Sequence, residues 1–241
     1  MSTPAAFART ERLLGPDGVR KLSDARVILF GTGGVGSWCA EALVRSGIGH
    51  LTMVDPDAVD VTNINRQLPA TTGTVGKPKV QVLRDRLLEI NPLCDITALQ
   101  ERYTLGTDFH LAHYDVVVDA IDSLTDKVNL LLEAAATPAE VFSSMGAACK
   151  MDPTKIRVGE FFSVRGCPLG AALRKRMRQN KTLPAKAITC VYDEEVLPNQ
   201  GAPQDPGPGK AIANGTLAHI TGIFGFTLAG LVISHIVGKS L

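Results

Sequence analysis

The sequence predicts an α/β fold in which a doubly wound, mainly parallel β-sheet carries helices on both faces. Short apolar runs alternate with longer amphipathic runs over the first 150 residues, which is the pattern of repeated βαβ units. A glycine-rich segment directly follows the first apolar run, 27–30 (VILF), as expected where a strand turns into a helix. Together these features predict a Rossmann-like sheet with right-handed crossovers.

The predicted elements of the first half alternate regularly along the chain. Apolar runs bounded by turn residues predict strands, and runs with apolar residues every three or four positions predict helices. The predicted strands are 27–30, 50–54, 96–103, 115–119 and 140–144, and the predicted helices are 34–47, 79–91 and 123–136.

After Met145 the pattern changes, which predicts an antiparallel extension of the sheet. The alternating run 156–162 and the run 187–192 predict two more strands, and 169–179 predicts a basic helix. The Pro/Gly-rich segment 197–209 predicts a mobile loop.

The composition, with 45% apolar and 20% charged residues in 241, is typical of a globular protein, and the length fits one large domain or a domain with an additional lobe. A net charge of +1 means that any binding to nucleic acid or to an acidic membrane must come from a local patch. The five cysteines include no C-x-x-C pair, which argues against a structural zinc and a secreted disulfide framework. The N-terminal segment has no apolar core of the signal-peptide type. We therefore expect a cytoplasmic protein.

The segment 216–237 is nearly all apolar and about long enough to span a bilayer. The favoured interpretation is a buried C-terminal helix that covers the sheet. The alternative is a peripheral or inserted membrane contact through the same segment.

The glycine-rich segment predicts a nucleotide site. Gly31, Gly33 and Gly36 fit the pattern G-x-G-x-x-G, and Gly34 lies in the same loop. Free backbone N–H groups at a helix start bind phosphate oxygens. Asp55 ends the next apolar run about 20 residues on, where a ribose ligand is expected. The motif alone fits NAD, FAD and ATP, and the chain contains no P-loop pattern G-x-x-x-x-G-K-[ST].

Polar and charged residues are concentrated in the segment 55–67 (DPDAVDVTNINRQ) and just after it. An arginine and a lysine suit a triphosphate, because negative charge builds up on the pyrophosphate as it leaves the α-phosphorus. An asparagine can hold a phosphate oxygen without adding charge. The segment therefore predicts ATP rather than a nicotinamide cofactor, with a solvated polar loop as the alternative. The candidate ligands here are Asp57, Asn63, Arg66, Gln67 and Lys79.

Two aspartates stand at the end of the fourth predicted strand, Asp119 and Asp122. A carboxylate at the carboxyl end of a central strand faces the nucleotide and can hold Mg²⁺ against phosphate oxygens. We expect Asp122 to be the metal ligand and Asp119 to be structural. The alternative for Asp122, together with Ser123, is the capping of the next helix.

The motifs GTGGVG, VDPDAVDVTNINRQ, VGKPKV and VDAIDS resemble, in order and spacing, the adenylating domain of the ubiquitin-activating, ThiF and MoeB superfamily over about residues 7–150. The resemblance implies one adenylating domain of 1–241, with an ATP-binding half at 1–150 and a substrate-side half at 151–241. It implies a homodimer that uses ATP and Mg²⁺ to adenylate a carboxylate.

The same resemblance assigns roles to single residues. Asp55 contacts the ribose, Asp122 contacts Mg²⁺, and the phosphate ligands are Asn63, Arg66 and Lys79. An N-terminal arginine is expected to reach into the partner's ATP site. Arg9 in FARTERLLG stands at that position, and Arg12 is the second candidate.

Within the superfamily the chain looks most like the tRNA threonylcarbamoyladenosine dehydratases, because segments such as GGVGSW, VTNINRQLPA and SSMGA extend the match to about residue 180. The resemblance implies that ATP adenylates the carboxylate of the threonylcarbamoyl group on a tRNA adenosine. An intramolecular attack then closes a five-membered ring, AMP leaves and water is lost overall.

Two other functions stay open at this point. The first is ThiF- or MoeB-type adenylation of the C-terminus of a ubiquitin-like sulfur-carrier protein. Such enzymes usually carry paired C-x-x-C zinc ligands, which this sequence lacks. The second is an NAD-dependent oxidoreductase, for which no His or Tyr stands at a suitable position. A sulfur-transfer or cysteine-desulfurase-type protein is a candidate partner of this chain with either adenylating function.

A basic run and two cysteines complete the candidates. The run LRKRMRQNK is the only dense positive patch in the sequence, and a tRNA enzyme of nearly neutral charge needs one; a solvated helix face is the alternative. Cys167 and Cys190 are the candidates for a nucleophilic thiol, although we expect both to be incidental. The tRNA-binding candidates are Arg174, Lys175, Arg176, Arg178 and Lys181.

Overall fold

The computed structural model describes residues 4–201 and 214–239, whose strands form a seven-stranded sheet of order β3-β2-β1-β4-β5-β7-β6. Neighbouring strands are parallel except β6 and β7, which pair antiparallel at the edge. The strands are β1 Arg26–Phe30, β2 His50–Val54, β3 Asp95–Leu99, β4 Val116–Asp119, β5 Glu140–Ser144, β6 Ile156–Glu160 and β7 Thr189–Asp193. The helices are α1 Ala8–Asp24, α2 Gly36–Ser46, α3 Lys79–Ile90, α4 Leu124–Ala135, α5 Pro168–Gln179 and α6 Ala218–Val237. The predicted fold class, with its antiparallel extension and C-terminal helix, is confirmed.

Alternate residues of the central strands point into two apolar layers. Val27 and Leu29 of β1 belong to the layer beneath α2, α3 and α6. Ile28 and Phe30 belong to the opposite layer, which packs against α4 and α5. Because both faces are covered, the strands are continuous apolar runs, as expected of a parallel sheet.

Two strands end earlier than predicted. β3 ends at Leu99, and Tyr103 instead packs its ring edge-on against Phe30, with the centroids 5.5 Å apart. β6 ends at Glu160, whose carboxylate accepts from the Phe162 backbone N–H at 2.7 Å and starts a short 3₁₀ turn. A local side-chain hydrogen bond therefore competes with the strand at this point.

Helix α1, at Ala8–Asp24, was not predicted from the sequence. Gly15, with a φ of +76°, and Pro16 interrupt its helical geometry and hide the pattern. Burial holds the segment in place, since Val19 and Leu22 are buried in the core. Phe7, just before α1, contributes a buried ring close to Gly47.

By length and composition α6 is apolar enough to cross a membrane. In this structure it packs along α2, and a Cβ on Gly225 would lie 2.5 Å from the Val35 carbonyl oxygen. Phe224, Leu228 and Val232 are completely buried. These contacts support the core-helix interpretation. Residues 202–209 of the predicted mobile loop lie outside the described part of the chain.

Candidate active site

A cavity of about 810 Å³ lies at the carboxyl ends of the central strands, where ligands bind in folds of this type. Its size is within the range of small-molecule sites. Its walls include the ends of β1, β2, β4 and β5, the loop after β3 and the residues that lead into α6. The predicted nucleotide residues that line it are Gly31, Gly33, Gly34, Asp55, Asp57, Arg66, Gln67, Lys79 and Asp122. Gly36 and Asn63 lie behind this surface.

The backbone of the glycine loop is packed so closely that two of its positions have no room for a side chain. Gly31 has a φ of +87°, and a Cβ there would lie 2.7 Å from the Ala120 carbonyl oxygen. A Cβ on Gly36 would lie 1.8 Å from the Gly31 carbonyl oxygen. Gly33 differs, since its Cβ would meet only the Gln67 side chain at 3.6 Å. Gly33 is thus free of backbone crowding and borders the cavity.

Asp55 holds the glycine loop from the end of β2. Its Oδ2 accepts from the Thr32 backbone N–H at 2.7 Å and from the Thr32 hydroxyl at 3.1 Å. Its Oδ1 accepts from the Asp57 backbone N–H at 2.9 Å. A carboxylate has about four acceptor positions, so Asp55 retains capacity for one further donor, such as a ribose hydroxyl.

Lys79 brings a positive charge to the cavity on a side chain that is only 7% exposed. Its ammonium lies 2.7 Å from Asp57 Oδ2, and its backbone N–H donates to the Asp57 carbonyl at 3.0 Å. Lys79 is the first residue of α3, so the helix start fixes its position.

The segment 61–67 is fastened to α2. Trp38 Nε1 donates to the Arg66 carbonyl at 3.2 Å. The Arg66 guanidinium donates to the Thr62 carbonyl and to Asn65 Oδ1, and it also lines the cavity. Gln67 is 8% exposed, and its Oε1 has no hydrogen-bond partner among the described residues. A buried acceptor without a partner is costly, so the Gln67 Oε1 is available to accept a hydrogen bond from a ligand.

Asn63 does not line the cavity in this structure. Its Oδ1 accepts from the Asp60 backbone N–H at 3.1 Å, as half of a capping box that closes the 3₁₀ turn Val61–Asn63. It is 8% exposed and lies behind the cavity-lining residues. In this structure its amide oxygen therefore shapes the loop, and a phosphate contact from Asn63 stays a prediction.

Asp122 and Asp119 differ in their surroundings. Asp122 is exposed at the cavity, and the cap position of α4 is held by Ser123 without a side-chain hydrogen bond. Asp119 is completely buried and pairs with Lys127 at 2.5 Å, which agrees with a structural role. Within 4–201 and 214–239 no three His, Cys, Asp or Glu side chains group around a metal position. Mg²⁺ at Asp122 would therefore take phosphate and water oxygens as its other ligands, which is its usual behaviour.

A family model described as the ThiF family matches residues 7–241. The chain belongs to the ThiF family. The resemblance inferred from the motifs is thereby confirmed, and the match extends well beyond the nucleotide-binding half.

Three relatives show how far this ThiF-family chain resembles known enzymes. A Bacillus subtilis protein named tRNA threonylcarbamoyladenosine dehydratase is 35% identical over 237 residues, 96% of this chain and 92% of the relative. The crystal structure of the Escherichia coli tRNA N6-threonylcarbamoyladenosine dehydratase in complex with ATP matches with a TM-score of 0.84 at 32% identity, covering 97% of this chain and 94% of that chain. The Escherichia coli sulfur carrier protein ThiS adenylyltransferase is 37% identical over only 133 residues, 54% of this chain and 53% of the relative.

Arg9 and Arg12 are exposed on the first turns of α1. None of the described α1 residues lines the cavity of the same chain. An action of either arginine in a partner's site therefore stays a prediction.

The basic helix α5 begins next to the cavity. Leu169 near its start lines the cavity, and the helix has 12 residues, about 18 Å of length. Arg174 is partly committed to the fold, since it donates to the Phe161 carbonyl at 3.1 Å and lies over the Phe161 ring. The other basic residues of the run are exposed: Lys175, Arg176, Arg178 and Lys181.

Neither predicted cysteine candidate has the environment of a nucleophile in this ThiF-family fold. Cys190 is completely buried, and burial raises the pKa of its thiol far above neutrality. Cys167 is 4% exposed, and its sulfur caps α5 by accepting from the Gly170 backbone N–H. Cys149, by contrast, is partly exposed, one residue after cavity-lining Ala148.

Several cavity residues were not identified from the sequence. The loop after β3 contributes Glu101, Arg102 and Tyr103, which could have been found because its strand ends at the same sheet edge. Tyr103 donates its hydroxyl hydrogen to Glu133 at 2.5 Å, and burial raises its pKa, so this phenol stays protonated. The wall that leads into and begins α6 consists of Asn214, Thr216 and Thr221.

Proposed function

We propose that this chain is an ATP-dependent tRNA threonylcarbamoyladenosine dehydratase. The observation that carries the proposal is a single cavity that joins the glycine loop, the cations Lys79 and Arg66, and the exposed Asp122. The full-length similarity to proteins of that name supports the choice of substrate.

The proposed reaction has two steps. A carboxylate oxygen of the threonylcarbamoyl group attacks the α-phosphorus of ATP, and pyrophosphate leaves. A nucleophilic atom of the carbamoyl group then attacks the acyl carbonyl, and AMP departs as a five-membered ring closes. The second step is intramolecular and therefore has a high effective molarity. It requires no thiol, in agreement with the buried positions of Cys167 and Cys190.

The site residues have defined tasks in this proposal. Lys79 and Arg66 stabilise the negative charge that grows on the departing pyrophosphate. Gly33 and Gly34 border the cavity at the start of α2, where free N–H groups and the helix dipole attract phosphate. Asp55 accepts from the ribose. Asp122 holds Mg²⁺, which when bound neutralises phosphate charge.

A direct assay tests the proposed function. The protein is incubated with ATP, Mg²⁺ and tRNA that carries threonylcarbamoyladenosine, and the products are AMP, pyrophosphate and a nucleoside lighter by one water. Absence of both AMP and the mass loss would contradict the proposal. ATP–pyrophosphate exchange that depends on an added sulfur-carrier protein would instead favour the ThiS-type function.

The tRNA is proposed to lie along α5, with its modified adenosine in the cavity. Phosphate contacts from Arg176 and Arg178 would position the tRNA without reading its sequence. Replacing both by Gln should weaken tRNA binding and lower the slope of log K against log salt by roughly one for each lost phosphate contact. An Arg20→Gln variant on α1 serves as the control, and equal slopes in all three proteins would exclude this path.

The working protein is proposed to be a cytoplasmic homodimer in which Arg9 enters the partner's site. The exposed position of Arg9 on α1 supports this arrangement, because the side chain has no part in the cavity of its own chain. Sedimentation of the protein with and without ATP measures the oligomeric state, and a monomer under both conditions would contradict the dimer.

A further inference from the structure

A buried lysine lies beneath the loop that carries Asp122. Lys127, in the first turn of α4, has no exposed surface, and neither has its partner Asp119. Its ammonium lies 2.5 Å from Asp119 Oδ2 and 3.0 Å from the Ile121 carbonyl oxygen. Asp119 in turn accepts from the Ser143 hydroxyl at 2.6 Å through the same oxygen. The ion pair of Lys127 and Asp119 is therefore enclosed on the side of the Asp122 loop that faces away from solvent.

The two members of this pair bind both backbone polar groups of Ile121, its N–H and its carbonyl oxygen. Asp119 Oδ1 accepts from the Ile121 backbone N–H at 3.2 Å, while Lys127 donates to the Ile121 carbonyl. That carbonyl belongs to the peptide bond that joins Ile121 to Asp122. Because a peptide unit is planar, the orientation of this plane fixes the positions of the backbone nitrogen and the Cα atom of Asp122.

The other side of the same loop is closed by the glycine loop. Ala120 donates its N–H to the Phe30 carbonyl at 2.8 Å. The Ala120 carbonyl is so close to Gly31 that a Cβ on Gly31 would lie 2.7 Å from its oxygen. The segment 119–122 is thus fixed between the phosphate-binding loop on one side and the buried ion pair on the other.

Stability alone is a poor explanation for this pair. Removing two charges from water is costly, and apolar replacements of similar volume are often as stable or more stable. Both charges are enclosed completely, and the lysine uses a further donor on a backbone carbonyl rather than on a second carboxylate. This arrangement suits a device that fixes geometry.

We propose that Lys127 is a positioning residue that orients the Asp122 carboxylate for the metal ion of the nucleotide complex. The inference rests on the proposed role of Asp122 under the function above. Residues that orient a metal ligand typically change metal affinity by about 10- to 100-fold when they are replaced. The effect should therefore appear as a loss of the coupling between Mg²⁺ and ATP.

The test measures ATP binding by calorimetry with and without Mg²⁺ and compares the two affinities. The main variant is the double substitution Asp119→Asn with Lys127→Met, which removes both charges together and keeps an acceptor for the Ile121 N–H. We expect the strengthening of ATP binding by Mg²⁺ to fall by about tenfold or more. Affinity for metal-free ATP should stay close to that of the wild type.

Two further variants make the result decisive. The Asp122→Asn variant should lose the same strengthening of ATP binding by Mg²⁺. The Lys127→Arg variant, which retains the charge and a donor, should keep much of this strengthening. Thermal unfolding of each variant separates loss of fold from loss of coupling. A folded double variant with wild-type coupling would overturn the inference and leave the pair a purely structural one. Wild-type coupling in Asp122→Asn would also overturn it, whereas AMP formation from the modified tRNA tests the proposed function independently.

Discussion

The ammonium of Lys79 lies 2.7 Å from the carboxylate of Asp57, but the two side chains differ sharply in exposure. Lys79 is 7% exposed and Asp57 is 59% exposed. The lysine is therefore fixed at the cavity wall, while its partner can be solvated if the contact is lost. A phosphate group that enters the cavity can take the place of Asp57 as the partner of Lys79 without leaving a buried charge unpaired.

Replacement of Lys79 by Met should lower the rate of AMP formation by about 10²- to 10³-fold, because a cation that stabilises the departing pyrophosphate is removed. The KM for ATP should change less than kcat, since the charge on the pyrophosphate is greatest in the transition state. The matched control is Lys77→Met, which alters an exposed lysine two residues earlier. Equal losses in both variants would contradict a specific role for Lys79.

Alanine at the two glycines of the nucleotide loop should have opposite effects on fold and binding. Gly36→Ala places a Cβ 1.8 Å from the Gly31 carbonyl, so thermal unfolding should occur at a clearly lower temperature. Gly33→Ala meets only ordinary contacts, so its melting temperature should barely change while its affinity for ATP falls. A Gly33→Ala protein with wild-type affinity would show that phosphate does not approach this part of the loop.

Conversion of Cys149, Cys167 and Cys190 to alanine, one at a time, should leave ring closure intact. The expected change in turnover is within about threefold, which corresponds to less than 1 kcal/mol of transition-state stabilisation. The reason is that the proposed second step is intramolecular and needs no enzyme thiol. Loss of ring closure with continued pyrophosphate release in any of these variants would reveal a covalent intermediate.

The contribution of Glu195 to stability should depend on pH. Lys155, together with the backbone N–H groups of Asp152 and Met151, lowers the pKa of the Glu195 carboxyl to about 2. Because the folded-state pKa lies below the ordinary value of about 4.3, the stabilisation is complete above that value and is lost as the pH falls toward 2. Urea unfolding of the wild type and of Glu195→Gln should therefore differ most at neutral pH and converge in acid. A constant difference down to pH values of about 3 would contradict the assignment.

Mixing two inactive proteins tests whether Arg9 acts in the partner's site. Arg9→Ala and Lys79→Ala subunits should each have little activity alone, and their mixture should recover part of it. Recovery follows because a mixed dimer contains one site with an intact Lys79 and an intact Arg9. A parallel mixture with Arg12→Ala distinguishes the two candidate arginines, and no recovery in either mixture would exclude the arrangement.

The fold and the nucleotide wall were largely predictable because their signals are local. Gly31, Gly33 and Asp55 lie within one strand–turn–helix–strand unit. The geometry of that unit fixes the spacing between the glycines and the aspartate, so the spacing can be recognised in the sequence. Asn63 shows the limit of this reasoning. Its type and position suit a phosphate ligand, and in the structure its oxygen accepts from the Asp60 N–H, which leaves its amide N–H groups as donors. Whether these donors reach a phosphate depends on where the loop lies, and no pattern in the sequence states that.

The parts that were missed depend on contacts between distant segments. The helix α1 contains a Gly-Pro pair and is stabilised by burial of Val19 and Leu22, so its helical pattern is weak. Thr221 reaches the nucleotide cavity because α6 crosses α2 at Gly225, where a Cβ would have no room. Such a contact depends on the docking of two helices that are far apart in the chain.

The docking of α6 on α2 also bears on biosynthesis. The glycine loop leaves the ribosome early, but Thr221 and Gly225 follow only after both outer strands of the sheet have been made. A nascent chain that has been translated through Asp193 would therefore carry every predicted phosphate ligand and still lack one wall of the cavity. The cavity is therefore complete only after α6 has been synthesised and has docked on α2.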